Sequence, residues 1–468
     1  MRKIRFRSLL AMALGIIAAG ASAQTDAAAH AADTLRLSAD DCVKIALNSN
    51  PTIRVADMEI SRIEYSKKIT VGQLLPSVSF TGTYSRALAL QTMYMDAGDG
   101  NVMAIKMGRD NSYQTGFSAS VPLIAPQLWK SLKLNDNQIE QNIESARSSR
   151  LKMVNQVKNA YYALMLALDS HQVLIKNYET AKFNADIYAK KFKSGTASEY
   201  DVLRSSVQVK NMEPSIIEAE NTIRRAQLQL LVLMGVDAAM PVKPTESLAS
   251  YKQQMYDRTL SIDTNLQNNT DLRQLDLQTD YLKKSLDVQK MAWYPTLSAS
   301  VNYMWNSMSN GSPFKDFRWT SSSTAALSLS VPLFQGGQRY YKQRQAEIAY
   351  KEMTWQRDNL VRSLNMQVRT QMDNIQKTIK QISANEAGVE QATKANKIME
   401  KSFQIGAASY LDLRDSEDAL MESELSYYQA IYNYLVAESD LQLLLGSANV
   451  GEYPQNSTYS DSHKNLQK

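Results

Sequence analysis

Two carboxylates stand three residues apart behind a serine in "SYLDLRD", Ser409 to Asp415, and an earlier stretch, "SEYDVLR", Ser198 to Arg204, repeats only the serine and the first acid. Ser-x-x-Asp is a capping-box-like helix start, so Ser198 and Ser409 read as N-caps and Asp201 and Asp412 as acids favoured by the positive end of the helix dipole. Asp415, at i+3, shares a helix face with Asp412, which puts two negative charges side by side. In the first stretch Arg204 occupies the position of Asp415, so the acid pair belongs to the second stretch alone. Each stretch follows a reversal signal, Lys193-Ser194-Gly195-Thr196 or Gln404-Ile405-Gly406-Ala407, in which a glycine supplies the positive φ on which helices commonly end.

Bond-making chemistry has no comparable constellation. His30, His171 and His463 are isolated, with no metal-ligand spacing and no nucleophile partner, and neither a phosphate-binding loop nor a dinucleotide fingerprint is present. Cys42 is the only cysteine, which excludes an intrachain disulfide and a cysteine metal cluster; it sits in a helical pattern as a small buried residue. The reading is therefore of a non-enzyme with no metal and no cofactor, in which any uphill movement of substrates draws its energy from a partner.

The first residues, "MRKIRFRSLLAMALGIIAAGASAQ", have a basic start, an apolar run from Leu9 to Ala19 and an Ala21-Ser22-Ala23 cleavage pattern, and read as an export signal over 1–23 followed by an N-terminal extension over 24–36. The apolar run is about half of the ~20 residues that a membrane-spanning helix needs. Removing the signal takes away four basic and no acidic residues, so the net charge falls from +5 to +1 and no nucleic-acid partner is implied. Beyond the signal no apolar run reaches the ~18 residues of a transmembrane helix, so an exported chain of this kind is soluble or crosses a membrane as strands.

The elements that position the carboxylates occur twice. "FSASVPLIAPQLWKSLK" (Phe117 to Lys133) answers to "LSLSVPLFQGGQRYYKQ" (Leu327 to Gln343), "LLPSVSFTGTYSR" to "WYPTLSASVNYMW", "KFKSGTASEYDVL" to "SFQIGAASYLDLR", and "LLVLMG" to "LQLLLG". The same order at a nearly constant offset argues for internal duplication: repeat 1 over 37–235, a connector over 236–262, repeat 2 over 263–446 and a polar tail over 447–468. Strands are expected at about 76–86, 113–124, 295–305 and 321–334, because apolar residues such as Val78, Phe80 and Tyr84, or Leu327, Leu329, Val331 and Leu333, alternate with Ser, Thr and Asn. Long helices are expected at about 128–193 and 338–402, where Val154, Val157, Tyr161, Leu164 and Leu168, or Leu364, Val368, Met372, Ile375 and Ile379, step by three and four. Each would be roughly 100 Å long, and a return of that length would need two shorter helices stacked end to end, Glu199 to Met234 and about Asp263 to Ala292.

Strands of about ten residues with one wet face suit a tilted membrane barrel. Tyr84, Tyr113, Tyr303, Trp305 and Trp319 at one end, with Trp129, Trp293 and Tyr294 at the other, suggest two interfacial girdles. Four strands cannot close a barrel, so the chain must oligomerise; counting allows a dimer or a trimer, and only the wider barrel comfortably continues into a helical tube. Pro76, Pro122, Pro295 and Pro332 are expected to mark the barrel–tunnel junction, where the strand ladder stops, and Gly336-Gly337 to allow the sharp turn between the two.

The duplicated halves, with "VPLFQGGQRY", "FQIGAASYLDL" and "LQLLLG", resemble the TolC family of outer-membrane efflux proteins. The resemblance implies an α+β membrane protein in the outer membrane of a Gram-negative bacterium. A homotrimer would share one twelve-stranded barrel, in contact with outer-membrane lipid and continued by a long α-helical coiled-coil periplasmic tunnel. It further implies docking to a periplasmic adaptor (membrane fusion) protein through hairpin tips at Gly195, Thr196, Gly406 and Ala407, and an inner-membrane transporter of RND or ABC type. Asp412 and Asp415 match the family's acidic constriction, whose three copies would place six carboxylates at the tunnel mouth, a common selectivity device. Where some relatives latch the closed entrance through a tyrosine and an arginine, this sequence has Phe403 and Ala408.

Overall fold

A computed structural model describes residues 35–96, 102–237, 242–252, 255, 265–315 and 317–448. The signal expected over 1–23, nearly all of the extension over 24–36 and all but the first two residues of the tail over 447–468 lie outside the described residues. Helices α1 (Ala39–Ser49) and α2 (Pro51–Gly72) precede strand β2 (Ser77–Arg86), and strand β5 (Asn111–Ile124) leads into α3 (Pro126–Lys193) and α4 (Glu199–Met234). The second half runs in the same order, through α5 (Thr270–Lys290), β7 (Thr296–Ser309), β8 (Thr320–Ser330), α6 (Gln338–Gln404) and α7 (Tyr410–Leu445). The remaining strands are short: β1 (Leu35–Leu37) pairs in parallel with β6 (Val242–Pro244), tying the chain's start to the connector, and β3 (Gln91–Asp96) pairs with β4 (Val102–Met107).

The long helices α3 and α6 have 68 and 67 residues, about 100 Å each at 1.5 Å per residue. Each is flanked by two shorter helices that meet end to end, but the partners are α4 with α2 and α7 with α5, not 199–234 with 263–292 as expected, because each joint is made by an asparagine cap within its own half; its chemistry is the same in both. At the first, Asn50 caps α2 by accepting from the Thr52 N–H (2.8 Å) and donates its amide to the Leu233 carbonyl in the last turn of α4 (2.8 Å). At the second, Asn269 caps α5 by accepting from the Leu272 N–H (2.8 Å) and donates to the Leu444 carbonyl of α7 (2.6 Å). One side chain thus satisfies a free donor of one helix and a free acceptor of the next, which lets two helices act as one rod. Gly446 closes α7 at φ +65°, and a Cβ there would lie 2.0 Å from the Asn268 carbonyl oxygen, so only glycine fits the joint.

The main core lies where these joints meet α1 and the middle of α3. Cys42, Ala46, Val157, Tyr161, Leu164, Leu230, Met234, Leu248, Ile431, Tyr434 and Leu441 are buried together there, with Val368, Ile375 and Ile382 of α6. The heptad-like stepping of α3 and α6 supplies these positions. Cys42 is buried, and burial pushes its thiol up to about 12, so it behaves as a small hydrophobe.

Four strands form one antiparallel sheet in the order β2-β5-β7-β8. Its register puts Val78, Phe80 and Tyr84 opposite Ala119, Phe117 and Tyr113, and these opposite Val301, Tyr303 and Ser307, on one face. Ser77, Ser79 and Thr81 with Ser120, Ser118 and Gly116 lie on the other, where serine hydroxyls pair across the strands at 3.0 and 2.7 Å. One face is apolar and the other carries small polar groups, as an alternating sequence with period two requires. No helix among the described residues is long and apolar enough to cross a membrane.

Several boundaries differ from expectation. The strand expected at 321–334 stops at Ser330, because β7 begins only at Thr296, the partner of Ser330, and Pro332 has no N–H for a ladder; Val331 and Leu333 therefore lie beyond the sheet. Pro122 does not end its strand: β5 continues through a register shift between Pro122 and Ile124. That is possible because β2 pairs no further than Ser120, which leaves the missing N–H on an edge without a partner. Tyr113 is not an exposed girdle residue, since Phe314 and Phe317 from the loop after β7 pack on it and the Phe314 N–H donates to its hydroxyl at 2.7 Å.

Candidate functional site

The two hairpin tips, α3–α4 and α6–α7, are built alike. At the first, the Gly195 N–H donates to the Phe192 carbonyl (2.9 Å) and the Thr196 N–H to the Lys191 carbonyl (2.8 Å); at the second, Gly406 donates to Phe403 (3.1 Å) and Ala407 to Ser402 (2.8 Å). Gly195 and Gly406 hold φ of +71° and +79° with open space around a would-be Cβ, so backbone conformation, not crowding, selects glycine at both. Ser198 and Ser409 then start α4 and α7 with reciprocal capping boxes. The Asp201 N–H donates to the Ser198 hydroxyl (3.2 Å), which donates to the Asp201 carboxylate (2.6 Å); the matching Asp412–Ser409 distances are 3.3 and 2.7 Å.

This cap defines what Asp412 can do. The Ser409 hydroxyl and then its backbone N–H hold the Asp412 carboxyl below the usual aspartate range, so it stays ionised throughout ordinary pH. Its exposed side and the exposed Asp415 one turn on lie away from Leu413 and Glu417, which are buried. The structure thus separates α7 into an acidic outer face and an inner face packed on the other hairpin.

The inner face carries a cluster that sequence reasoning did not assemble, although it had noted Phe403 and Ala408. Tyr188 of α3, Phe403 of α6, and Tyr410 and Leu413 of α7 form a buried cluster, with ring centroids 5.1 Å apart for Tyr188–Tyr410 and 6.0 Å for Tyr188–Phe403. Ala408 packs beside it, and the Lys191 ammonium lies 5.1 Å from the Phe403 ring centroid, a cation–π arrangement. One turn further along α7, buried Asn184 of α3 donates to the Glu417 carboxylate at 3.0 Å. Burial pushes the Glu417 carboxyl up to about 7, with Glu400 and Asp418 adding repulsion and Asn184 opposing. Beside Glu417 is a cavity of about 70 Å³ lined by Asn177, Thr180, Asn396, Glu400 and Glu424 among others. Lys176 pairs with Glu424 at 3.1 Å and Asn177 approaches the Met421 sulfur at 2.9 Å. These contacts join the two hairpins of one chain along a single seam.

The sequence that builds these paired long hairpins and the four-stranded sheet matches a known family model described as "Outer membrane efflux protein" over residues 42–236 and 261–447. The chain belongs to that family. Among relatives, it is 24% identical over 442 residues to the alkaline protease secretion protein AprF of Pseudomonas aeruginosa, covering 90% of this chain and 89% of AprF. It is 21% identical over 374 residues to the outer membrane protein TolC of Vibrio cholerae, covering 78% of this chain and 84% of TolC. The fold is similar to that of the solved Campylobacter jejuni CmeC outer membrane channel, with a TM-score of 0.68 at 17% identity over 91% of this chain and 88% of CmeC.

At the other end of this efflux-family chain, Pro76 and Pro295 immediately precede β2 and β7, and Pro332 follows β8 by two residues. Gly336 and Gly337 have φ of +59° and +77°, and Gly337 is the residue from which α6 starts. Trp293 at this junction lies over the Arg339 guanidinium (4.6 Å) and its indole N–H donates to Gln343 (3.3 Å), tying the end of α5 to the first turns of α6. The sites therefore fall in two places, a junction and a tip, separated by the length of α3. No group of histidine, cysteine or carboxylate side chains among the described residues could hold a metal ion.

Proposed function

We propose that this outer membrane efflux protein is the passive exit duct of a tripartite efflux or type I secretion system. Three copies, each contributing two duplicated halves, share a twelve-stranded barrel continued by an α-helical tunnel. The observation that carries this reading is the sheet: β2 and β8 form its two edges, every residue of both is exposed, and the apolar face carries Val78, Phe80, Val301, Leu327 and Leu329 uncovered. An apolar outer face suits lipid, a hydroxyl-rich inner face suits water, and edges this long require partners in a membrane. The helices support the same assembly, since Tyr200, Leu203, Val207 and Ile217 of α4 and Ile348, Trp355, Met366 and Ile398 of α6 are exposed along faces without a partner in the chain.

In this reading Gly195, Thr196, Gly406 and Ala407 meet a periplasmic adaptor, and Asp412 and Asp415 ring the entrance as a cation-attracting constriction. An inner-membrane transporter of RND or ABC type supplies energy and cargo. Closure rests on the Tyr188–Phe403–Tyr410 cluster and the Asn184–Glu417 hydrogen bond, which occupy the seam where Phe403 and Ala408 replace the polar latch of some relatives. The test is disulfide trapping between β2 and β8 of neighbouring copies: a series of Ser79→Cys with Ser322→Cys, Thr324→Cys or Ser328→Cys gives a covalent trimer for the pair in register. A chain that remains monomeric in detergent and forms no such crosslink refutes the shared barrel.

A further inference from the structure

The hairpin β3–β4 lies in the connection from β2 to β5, at the end of the sheet away from the helices, and the duct reading gives it no task. Its register is Gln91↔Met107, Met93↔Ile105 and Met95↔Met103, alternating with Thr92↔Lys106 and Tyr94↔Ala104. Residues opposite each other point to the same side, so one face of this small ribbon presents Gln91, Met93, Met95, Met103, Ile105 and Met107. Four of those six are methionine, and they remain 43%, 52%, 55% and 50% exposed in chain order, so this face is not core. The opposite face carries Thr92, Tyr94 and Asp96 opposite Lys106, Ala104 and Val102, of which Thr92, Tyr94 and Val102 are strand-forming. Contact alone would be served by such β-branched and aromatic residues on both faces, which pair better in strands than methionine.

Thioether sulfur is a soft, neutral donor that selects Cu(I)-type cations over Mg²⁺, Ca²⁺ or Na⁺. Geometry allows convergence. Met95 and Met103 are directly opposite, about 5 Å apart at Cβ; Met93 is about 7 Å along the strand from Met95 and diagonal to both Met103 and Met107. Three rotatable bonds per side chain bring the sulfurs together above the ribbon. The same face holds no carboxylate or histidine, and Lys106, whose charge would repel a cation, is on the other side.

We infer that Met93, Met95 and Met103, with Met107 as an alternative fourth donor, form a thioether site for a soft monovalent cation, Cu(I) or Ag(I), on this hairpin. Binding displaces water and breaks no covalent bond. Because a thioether carries no proton, affinity is independent of pH, unlike a site of histidine, thiol or carboxylate ligands. Cys42 does not compete, being fully buried in the core.

The full chain in detergent is titrated calorimetrically with Ag(I) in chloride-free buffer at about pH 5.5 and about pH 7.5, the range over which histidine ligands lose affinity. The comparison is with a Met93→Leu, Met95→Leu, Met103→Leu variant and a Met308→Leu control, leucine being a volume-conserving replacement for methionine. The expected result is one Ag(I) site per chain, equal at both pH values and in the control, and weakened at least about tenfold in the triple variant. Equal binding by the triple variant, or affinity that falls about tenfold on acidification, overturns the assignment. Should the triple variant fail to assemble, ¹³C-methyl methionine spectra of the unaltered protein decide: Ag(I) must shift the Met93, Met95 and Met103 methyls, and shifts confined to other methionines reject the site.

Discussion

At Glu417 a single carboxylate ties tip stability to pH. Its folded pKa of about 7 lies above the ordinary glutamate value of 4.5 because burial disfavours the charge. The protonated form is therefore the one the fold prefers: the contribution is complete below about pH 4.5 and is lost as pH rises through about 7, when Glu417 ionises beside Glu400 and Asp418. The seam between α3 and α7 is thus tighter in acid, and Glu417→Gln should remove this dependence, holding the neutral-pH protein on the order of 2 kcal/mol closer to its acid stability. Thermal unfolding from about pH 5 to about pH 8 reads this directly, and parallel curves for variant and parent would exclude the role. Phe403→Ala, which empties the aromatic cluster, should cost about 3 kcal/mol locally and speed amide exchange in residues 185–192 and 410–416; unchanged exchange there would mean the cluster closes nothing. The Ser409–Asp412 cap and the position of Asp415 on the same face were legible from spacing, since a cap and an i+3 neighbour are local features. Tyr188, Asn184 and Glu417 were not, because they acquire meaning only when α3 and α7, more than two hundred residues apart in sequence, pack against each other.

Among the elements, the two long helices and four main strands were legible because their hydrophobic periods of about 3.6 and 2 persist over many residues. The joints were not: nothing local says that Asn50 and Asn269 donate to Leu233 and Leu444, although an Asn at an N-cap and a Gly after an apolar run are each visible. The hairpin β3–β4 was also missed, because its methionine-rich strands carry few of the residues that announce a strand. The joints themselves are testable. Gly446→Ala introduces a Cβ 2.0 Å from the Asn268 carbonyl at φ +65°, so it should destabilise by about 2–3 kcal/mol and lower the melting temperature. Asn269→Ala should cost about 1–2 kcal/mol through the lost cap and the unpaired Leu444 carbonyl. Near-neutral values for both would show that α5 and α7 do not bear on each other as one rod. Gly388→Ala, in α6 with open space around it, is the control and should be neutral or slightly stabilising.

For the whole molecule, one chain is an incomplete object: a sheet with two open edges, helices with bare apolar faces, and an acidic tip whose inner side is sealed to its own first hairpin. The threefold closure proposed above would meet each incompleteness, setting the carboxylates of Asp412 and Asp415 around one opening while the hydroxyl face of the sheet lines the other end. The most direct measurement is ion conductance of the detergent-purified mature protein in planar bilayers, beside an Asp412→Ala, Asp415→Ala variant. The duct predicts cation-selective channels whose selectivity and divalent block diminish in the variant, with larger conductance when Phe403→Ala loosens the tip. Folded trimers that pass no current even with Phe403→Ala would contradict the duct, and channels indifferent to the loss of both aspartates would remove the acidic constriction from it.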